Sequence, residues 1–255
     1  MNSNTRHLVG LWAGAVLIMV WVAFDLGSAL LQGQTWEVGL SIAFTAVIVM
    51  VIKWRGGDRQ IRRLLQSDSP EDLVPFYKRT IRTGLVPDGD ALLAQACAVA
   101  YTLYADYPAA RAALQSVNWD HRPPLIRSSG QSVEALLCYF ETRQYKQGLE
   151  LARSAQKAGG VSGLFPGARA SAAAFESLVE IGEVLSGCST GSTVGSLERK
   201  MKVLPTLGRL LVAWGLANAY RKNGDDAKAE TMLAYIREIA PHCRALSLPS
   251  HAEPA

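Results

Sequence analysis

The stretch LLVAWGLANAYRKNGDDAKAETMLAYIREIAP, residues 210–241, decides the fold class. Its apolar residues recur three and four apart, the period of a helix rather than the alternation of a strand. Leu216 and Tyr220 stand four apart and share one face of a first helix. Asn223-Gly224-Asp225 then breaks the pattern, and Gly224 permits the turn because glycine carries little backbone restriction. Beyond the turn, Ala229 is small enough for a second helix to lie close against the first. The stretch therefore reads as two helices folded back on one another.

The offsets of Leu216, Ala217, Tyr220, Gly224, Ala229, Leu233 and Pro241 are those of a tetratricopeptide repeat, and the stretch resembles that family. The spacing of Tyr220 and Ala229 recurs between Tyr101 and Ala110, with Tyr107, Leu114 and Pro123 in suitable places. It recurs again between Tyr139 and Gly148, with Tyr145 and Ala152 alongside. From Ala110 to Gly148 the interval is 38 residues, against about 34 in the family. The 81 residues from Gly148 to Ala229 leave room for two units, and the intermediate one, near 170–186 and 192–203, departs from the motif. The resemblance thus covers 90–242 in pieces. The coarser alternative is a generic α-solenoid or an irregular helical bundle.

The resemblance implies a domain of stacked helix pairs whose first helices line a concave groove for an extended or helical segment of a partner protein. Trp214, Asn218, Arg221 and Lys222 would then meet the partner: Trp through apolar contact, Asn through backbone amides, Arg and Lys through carboxylates. In the alternative reading Trp214 is core and the charges face solvent. Val99, Leu137 and Phe140 at corresponding places predict a mixed or apolar groove rather than an all-basic carboxylate clamp.

Outside this stretch, Ser69-Pro70-Glu71-Asp72 is a helix start: Ser caps, Pro fits the first helical position, and acids oppose the positive end of the dipole. Pro75 shortens or kinks this helix near its beginning, and Gly84 is its expected stop. Pro87-Asp88-Gly89-Asp90 marks a turn before an apolar run to Tyr104. Gly159-Gly160 and Gly187 to Gly191 break the rest, and no strand-like alternation stands out. The expected class is all-α, with a helical-repeat domain over 69–243 and a flexible tail over 244–255.

The first 55 residues read differently. Leu8 to Phe24 carries no charge, and Val38 to Ile52 is a second uncharged run flanked by Trp36 and by Lys53-Trp54. Two transmembrane helices, about 8–31 and 36–54, are expected, since about 20 apolar residues cross the hydrocarbon core and indole rings favour its edges. A cleaved secretory signal fits less well, because the first run exceeds the roughly 7 to 15 residues of such segments and a second follows at once. Asp25 falls near the far interface, where a wetted carboxylate is the cheaper state. Gly10 and Gly14 make one GxxxG spacing through which the spans would associate, with another copy or another chain.

Between the spans there is no Lys or Arg, whereas Lys53, Arg55, Arg59, Arg62 and Arg63 follow the second. The positive-inside rule then places both termini in the cytoplasm of, most simply, a bacterial inner membrane. Residues 56–68 would be a basic juxtamembrane linker or helix resting on anionic headgroups.

Chemistry is thin. The 255 residues hold 26 Lys and Arg against 22 Asp and Glu, a net charge of +4 that gives no reason to expect nucleic acid as a partner. Hydrophobic residues make up 49% and charged residues 19%, which excludes a chain unable to bury a core. His7, His121, His242 and His251 are scattered, there is no HExxH or CxxC, and Cys97, Cys138, Cys188 and Cys243 are far apart. The adjacent pair His242-Cys243 cannot share a helix face as two ligands would. Gly187 to Ser196 lacks the Lys of a phosphate loop, so Ser192 or Ser196 capping the next helix is the simpler reading. Glu180 and Glu183 can share a face, usually a solvated one.

No catalytic, cofactor or metal residues are assigned. The expected function is a membrane-anchored adaptor that holds a partner protein at the cytoplasmic surface. The alternatives are a structural subunit of a channel, transporter or secretion complex and, third, an enzyme on lipid or envelope precursors.

Overall fold

A computed structural model describes residues 56–81, 87–159 and 166–247. The expected spans, with Lys53 and Arg55, lie outside the described residues; among these no helix is long and apolar enough to cross a membrane. The chain divides between Arg59 and Gln60 into two compact units, and the second carries the helical array.

The described residues are all-helical, with no strand. A 3-10 turn, Pro70–Asp72, leads into α1, Leu73–Thr80. Ser69 accepts from the backbone N–H of Glu71, as its place before Pro70 demands. Four helical hairpins follow: α2 (Gly89–Leu103) with α3 (Tyr107–Gln115), α4 (Pro124–Phe140) with α5 (Tyr145–Gly159), α6 (Pro166–Ser186) with α7 (Gly191–Lys200), and α8 (Thr206–Lys222) with α9 (Asp226–Ile239). A final 3-10 turn spans Arg244–Leu246. The first helices α2, α4, α6 and α8 meet one another in sequence order, and α3, α5, α7 and α9 each back onto their own partner.

Three of the four hairpins turn the same way. Ala105, Gly187 and Gly224 have φ of 63°, 76° and 76°. In each, the next residue's N–H reaches five residues back: Asp106 to the Tyr101 carbonyl, Cys188 to Glu183, and Asp225 to Tyr220, all at 2.9 Å. This satisfies carbonyls that the helix end leaves orphaned. The second helices of the first and last hairpins then begin on side-chain caps: Asp106 accepts from the N–H of Ala109 and Asp225 from that of Lys228. The α6–α7 unit, which departs from the repeat motif, shares the turn but enters its second helix later, at Thr190. Thr190, not Ser192 or Ser196, is the cap: it forms a capping box with Thr193. Ser192 and Ser196 both lie inside α7, past the position a cap must occupy.

Close seams between helices rest on missing side chains. A Cβ on Gly148 would stand 2.7 Å from Tyr139 Cδ1, one on Gly159 2.6 Å from Phe175 Cε2, and one on Gly215 2.7 Å from Ile181 Cγ1. Tyr139 is the hub. Fully buried, it fills the space between α4, Gly148 of α5 and Gly182 of α6, and its hydroxyl donates to the Leu178 carbonyl at 3.2 Å. Ala110, Ala229, Leu216 and Tyr220 are also buried in their hairpins, while Tyr101 is half-buried.

The array does not run out into open ends. The last 3-10 turn touches both α2 and α8, and Leu246 is fully buried in the main core together with Leu65 and Leu73. Tyr104 donates to the Ser67 carbonyl at 2.9 Å, and Arg62 pairs with Glu238 of α9 at 2.7 Å. Inside, the rings of Phe140 on α4 and Trp214 on α8 lie 4.4 Å apart. Leu65, before the boundary expected at 69, and Leu246, after that expected at 243, are both fully buried in the core. The helical segment 60–64 and residues 244–247 are structural parts of the domain.

Candidate partner-binding surface

Of the four residues expected to meet a partner, two are occupied within the fold. Trp214 is 6% exposed and packs against Phe140 with the rings tilted at 44°. Lys222 donates to the carbonyls of Val184 and Leu185, at 2.6 and 2.9 Å, at the C-terminal end of α6. The Val184 carbonyl also accepts from the Gly187 N–H at 3.2 Å, and a cation at this helix end opposes the negative end of the dipole. Burial lowers the Lys222 ammonium below its usual range. Asn218 folds its amide back onto the Trp214 carbonyl at 2.9 Å and is half-buried.

Arg221 is different. Its side chain has no hydrogen bond or ion pair among the described residues, and it lines a cleft of about 220 Å³ with Glu230, Leu233, Ile236, Arg237 and Cys243. Glu230 and Arg237 pair with each other across one wall, leaving the Arg221 guanidinium as the uncompensated charge of the cleft.

A second cleft, about 320 Å³, opens where α3 is shorter than its counterparts. At the next junction Phe175 seals α6 onto Gly159 of α5. Between α3 and α5 the outer layer is incomplete. Leu114, Leu137 and Leu151 floor the gap, and Gln115, Thr142, Gln144 and Gln147 stand round it. Arg111 and Glu141 close one end as a pair, with both guanidinium nitrogens Nε and Nη2 engaged, at 3.3 and 2.7 Å. Glu134 and Cys138 share the wall one turn apart on α4. Glu134 is exposed in this wall and has no cation beside it among the described residues, and partial desolvation by its neighbours raises its carboxyl above the ordinary carboxylate value. Burial and Glu134 together raise the Cys138 thiol. This cleft carries no residue of the expected partner surface apart from Leu137, which occupies a corresponding place in the second hairpin.

Of the expected membrane-surface residues, Arg59, Arg62 and Arg63 are exposed, with Arg62 committed to Glu238. Of the carboxylates expected to share a face, Glu180 joins Glu176 in salt bridges to buried Lys200, at 2.9 and 3.2 Å, and so ties α6 to α7. Glu183 pairs with Arg153 at 3.4 Å. Among the described residues no group of three or more His, Cys, Asp or Glu is arranged to hold a metal ion. All four cysteines are free thiols, buried at Cys97 and Cys243, half-buried at Cys138 and exposed at Cys188.

In comparisons with protein-family models, curated proteins and solved structures, nothing matches this chain.

Proposed function

We propose that this protein is a membrane-tethered helical-hairpin adaptor that holds a partner protein at the cytoplasmic face and thereby assembles or localises a larger complex. The observation that carries this reading is Arg221: a guanidinium at the lip of a 220 Å³ cleft, uncompensated among the described residues, beside an apolar wall of Leu233 and Ile236. Such a group suits a partner carboxylate, which a planar guanidinium grips with two parallel hydrogen bonds. The tetratricopeptide-like offsets support attachment as the general role, and the N-terminal apolar runs support a membrane setting. The binding surface moves outward from Trp214 and Lys222, which are used inside the fold, to Arg221 and the cleft it lines.

The test uses the full-length protein in its own membranes, with a photo-crosslinking residue in place of Glu230. A discrete adduct that disappears in Arg221→Glu supports the adaptor reading. The same adduct in both proteins removes the cleft from it. Exchanging residues 1–55 for an unrelated membrane anchor separates an adaptor, which keeps its adduct, from a structural subunit of a membrane complex, which does not.

A further inference from the structure

The cleft between α3 and α5 is built unlike the Arg221 cleft and asks for the opposite charge. Its floor is three leucines, Leu114, Leu137 and Leu151, and its rim is three side-chain amides and a hydroxyl. Gln115, Gln144 and Gln147 each carry both donors and an acceptor, the complement of an extended backbone that alternates N–H and C=O. The cation that ends the cleft, Arg111, is held by Glu141. Glu134 is therefore the one wall charge left without a counterpart among the described residues. At about 320 Å³ the space lies at the small end of ligand sites, enough for a few residues of extended chain and too little for a helix.

We infer that this cleft binds an extended peptide segment of a partner protein, with an apolar side chain on the leucine floor and an adjacent Lys or Arg on Glu134. The unpaired carboxylate gains a counterion on binding, so the segment's cation supplies specificity as well as contact. The inference rests on the adaptor reading for its biological setting, but binding here does not depend on Arg221.

Cys138 reports occupancy, since its thiol lies in the cleft wall next to Glu134. The experiment measures the alkylation rate of Cys138 by mass spectrometry in the full-length protein in detergent micelles. The probes are acetyl-Ala-Leu-Lys-Ala-amide and its charge-reversed counterpart acetyl-Ala-Leu-Glu-Ala-amide, with exposed Cys188 as internal reference. The expected result is that the lysine peptide slows Cys138 by about threefold at twice its Kd, from the factor 1 + [L]/Kd. Cys188 does not change, the glutamate peptide does nothing, and Glu134→Gln abolishes the protection ratio measured within that variant. Equal protection by both peptides, protection surviving in Glu134→Gln, or no protection at any soluble peptide concentration overturns the inference. Peptide protection that persists in Arg221→Glu while the membrane adduct is lost distinguishes the two sites. Loss of protection with the adduct retained sinks this inference alone.

Discussion

Gly182→Ala places a methyl group where Tyr139 already is. The added Cβ meets the Tyr139 hydroxyl first, then Tyr139 Cζ at 3.0 Å and Leu149 Cδ1 at 3.1 Å. Tyr139 cannot swing away, because it is fully buried, confined by Gly148 on its other side, and its hydroxyl is bonded to Leu178. Overpacking of this kind costs about 1–3 kcal/mol. Alanine in a helix interior returns roughly 0.5–1 kcal/mol relative to glycine. The expected net is a loss of about 1–2 kcal/mol, a large share of an ordinary domain's stability. Tyr139→Phe alone costs roughly 0.5–1.5 kcal/mol, since Leu178 sits within α6 and its carbonyl has the helix ladder to fall back on. In that background the nearest colliding atom is gone, and the Gly182→Ala penalty falls by about 1 kcal/mol, a coupling that a double-mutant cycle resolves. Urea unfolding of the four full-length proteins in micelles, followed by pulse proteolysis, supplies the numbers. A neutral or stabilising Gly182→Ala with Tyr139 intact, or strictly additive effects, would refute the account of the α4–α6 seam.

Gly195 offers the opposite sign: it lies inside α7 with nothing near an added Cβ, so Gly195→Ala should raise stability by about 0.5–1 kcal/mol in the same assay. Ala105 holds φ of 63° without the freedom of glycine, and Ala105→Gly should stabilise the α2–α3 turn by about 1 kcal/mol, read as a shift in urea midpoint. Burial, then the bond to Glu198, pushes the Tyr220 phenol up to about 12, and burial pushes the Cys243 thiol up to about 12. Both are protonated when folded and ionise earlier when unfolded. Their contribution is therefore intact below pH 9 and is lost between pH 9 and 12 for Cys243 and between pH 10 and 12 for Tyr220, visible as a falling melting temperature. Alkylation of the native protein at about pH 8 should label Cys188 first, then Cys138, with Cys97 and Cys243 last; early labelling of Cys243 would contradict its burial.

The local chemistry of the hairpins was legible where glycine or a small residue has a single geometric use. Gly224 stands at positive φ in its turn, and Gly148 and Ala229 are small because a neighbour leaves no room. The turns at Ala105 and Arg143 carry no such mark, since neither residue type prefers the left-handed region they occupy, at 63° and 54°. Thr190 does not stand out as a cap because its box closes on Thr193 rather than on the Glu or Gln that usually signals one. Which residues stay available to a partner was the least legible part. Lys222 looks solvent-facing on its own helix, and only the end of α6 beside it explains its use. Glu134 has the same face spacing as any exposed helical carboxylate, and becomes a wall of a cleft only once α3 proves too short to cover it.

The burial of Leu65 and Leu246 in one core, with the final turn resting on α2, has a consequence for how this molecule can change. Chains of stacked units ordinarily lengthen or shorten by duplication and deletion, because each unit leans only on its neighbours. Here the final turn rests on the first helices of both the first and the last described hairpins, so an added or missing hairpin between them would unseat it. Unfolding of the described helical domain, from Gln60 onward, should accordingly be a single event.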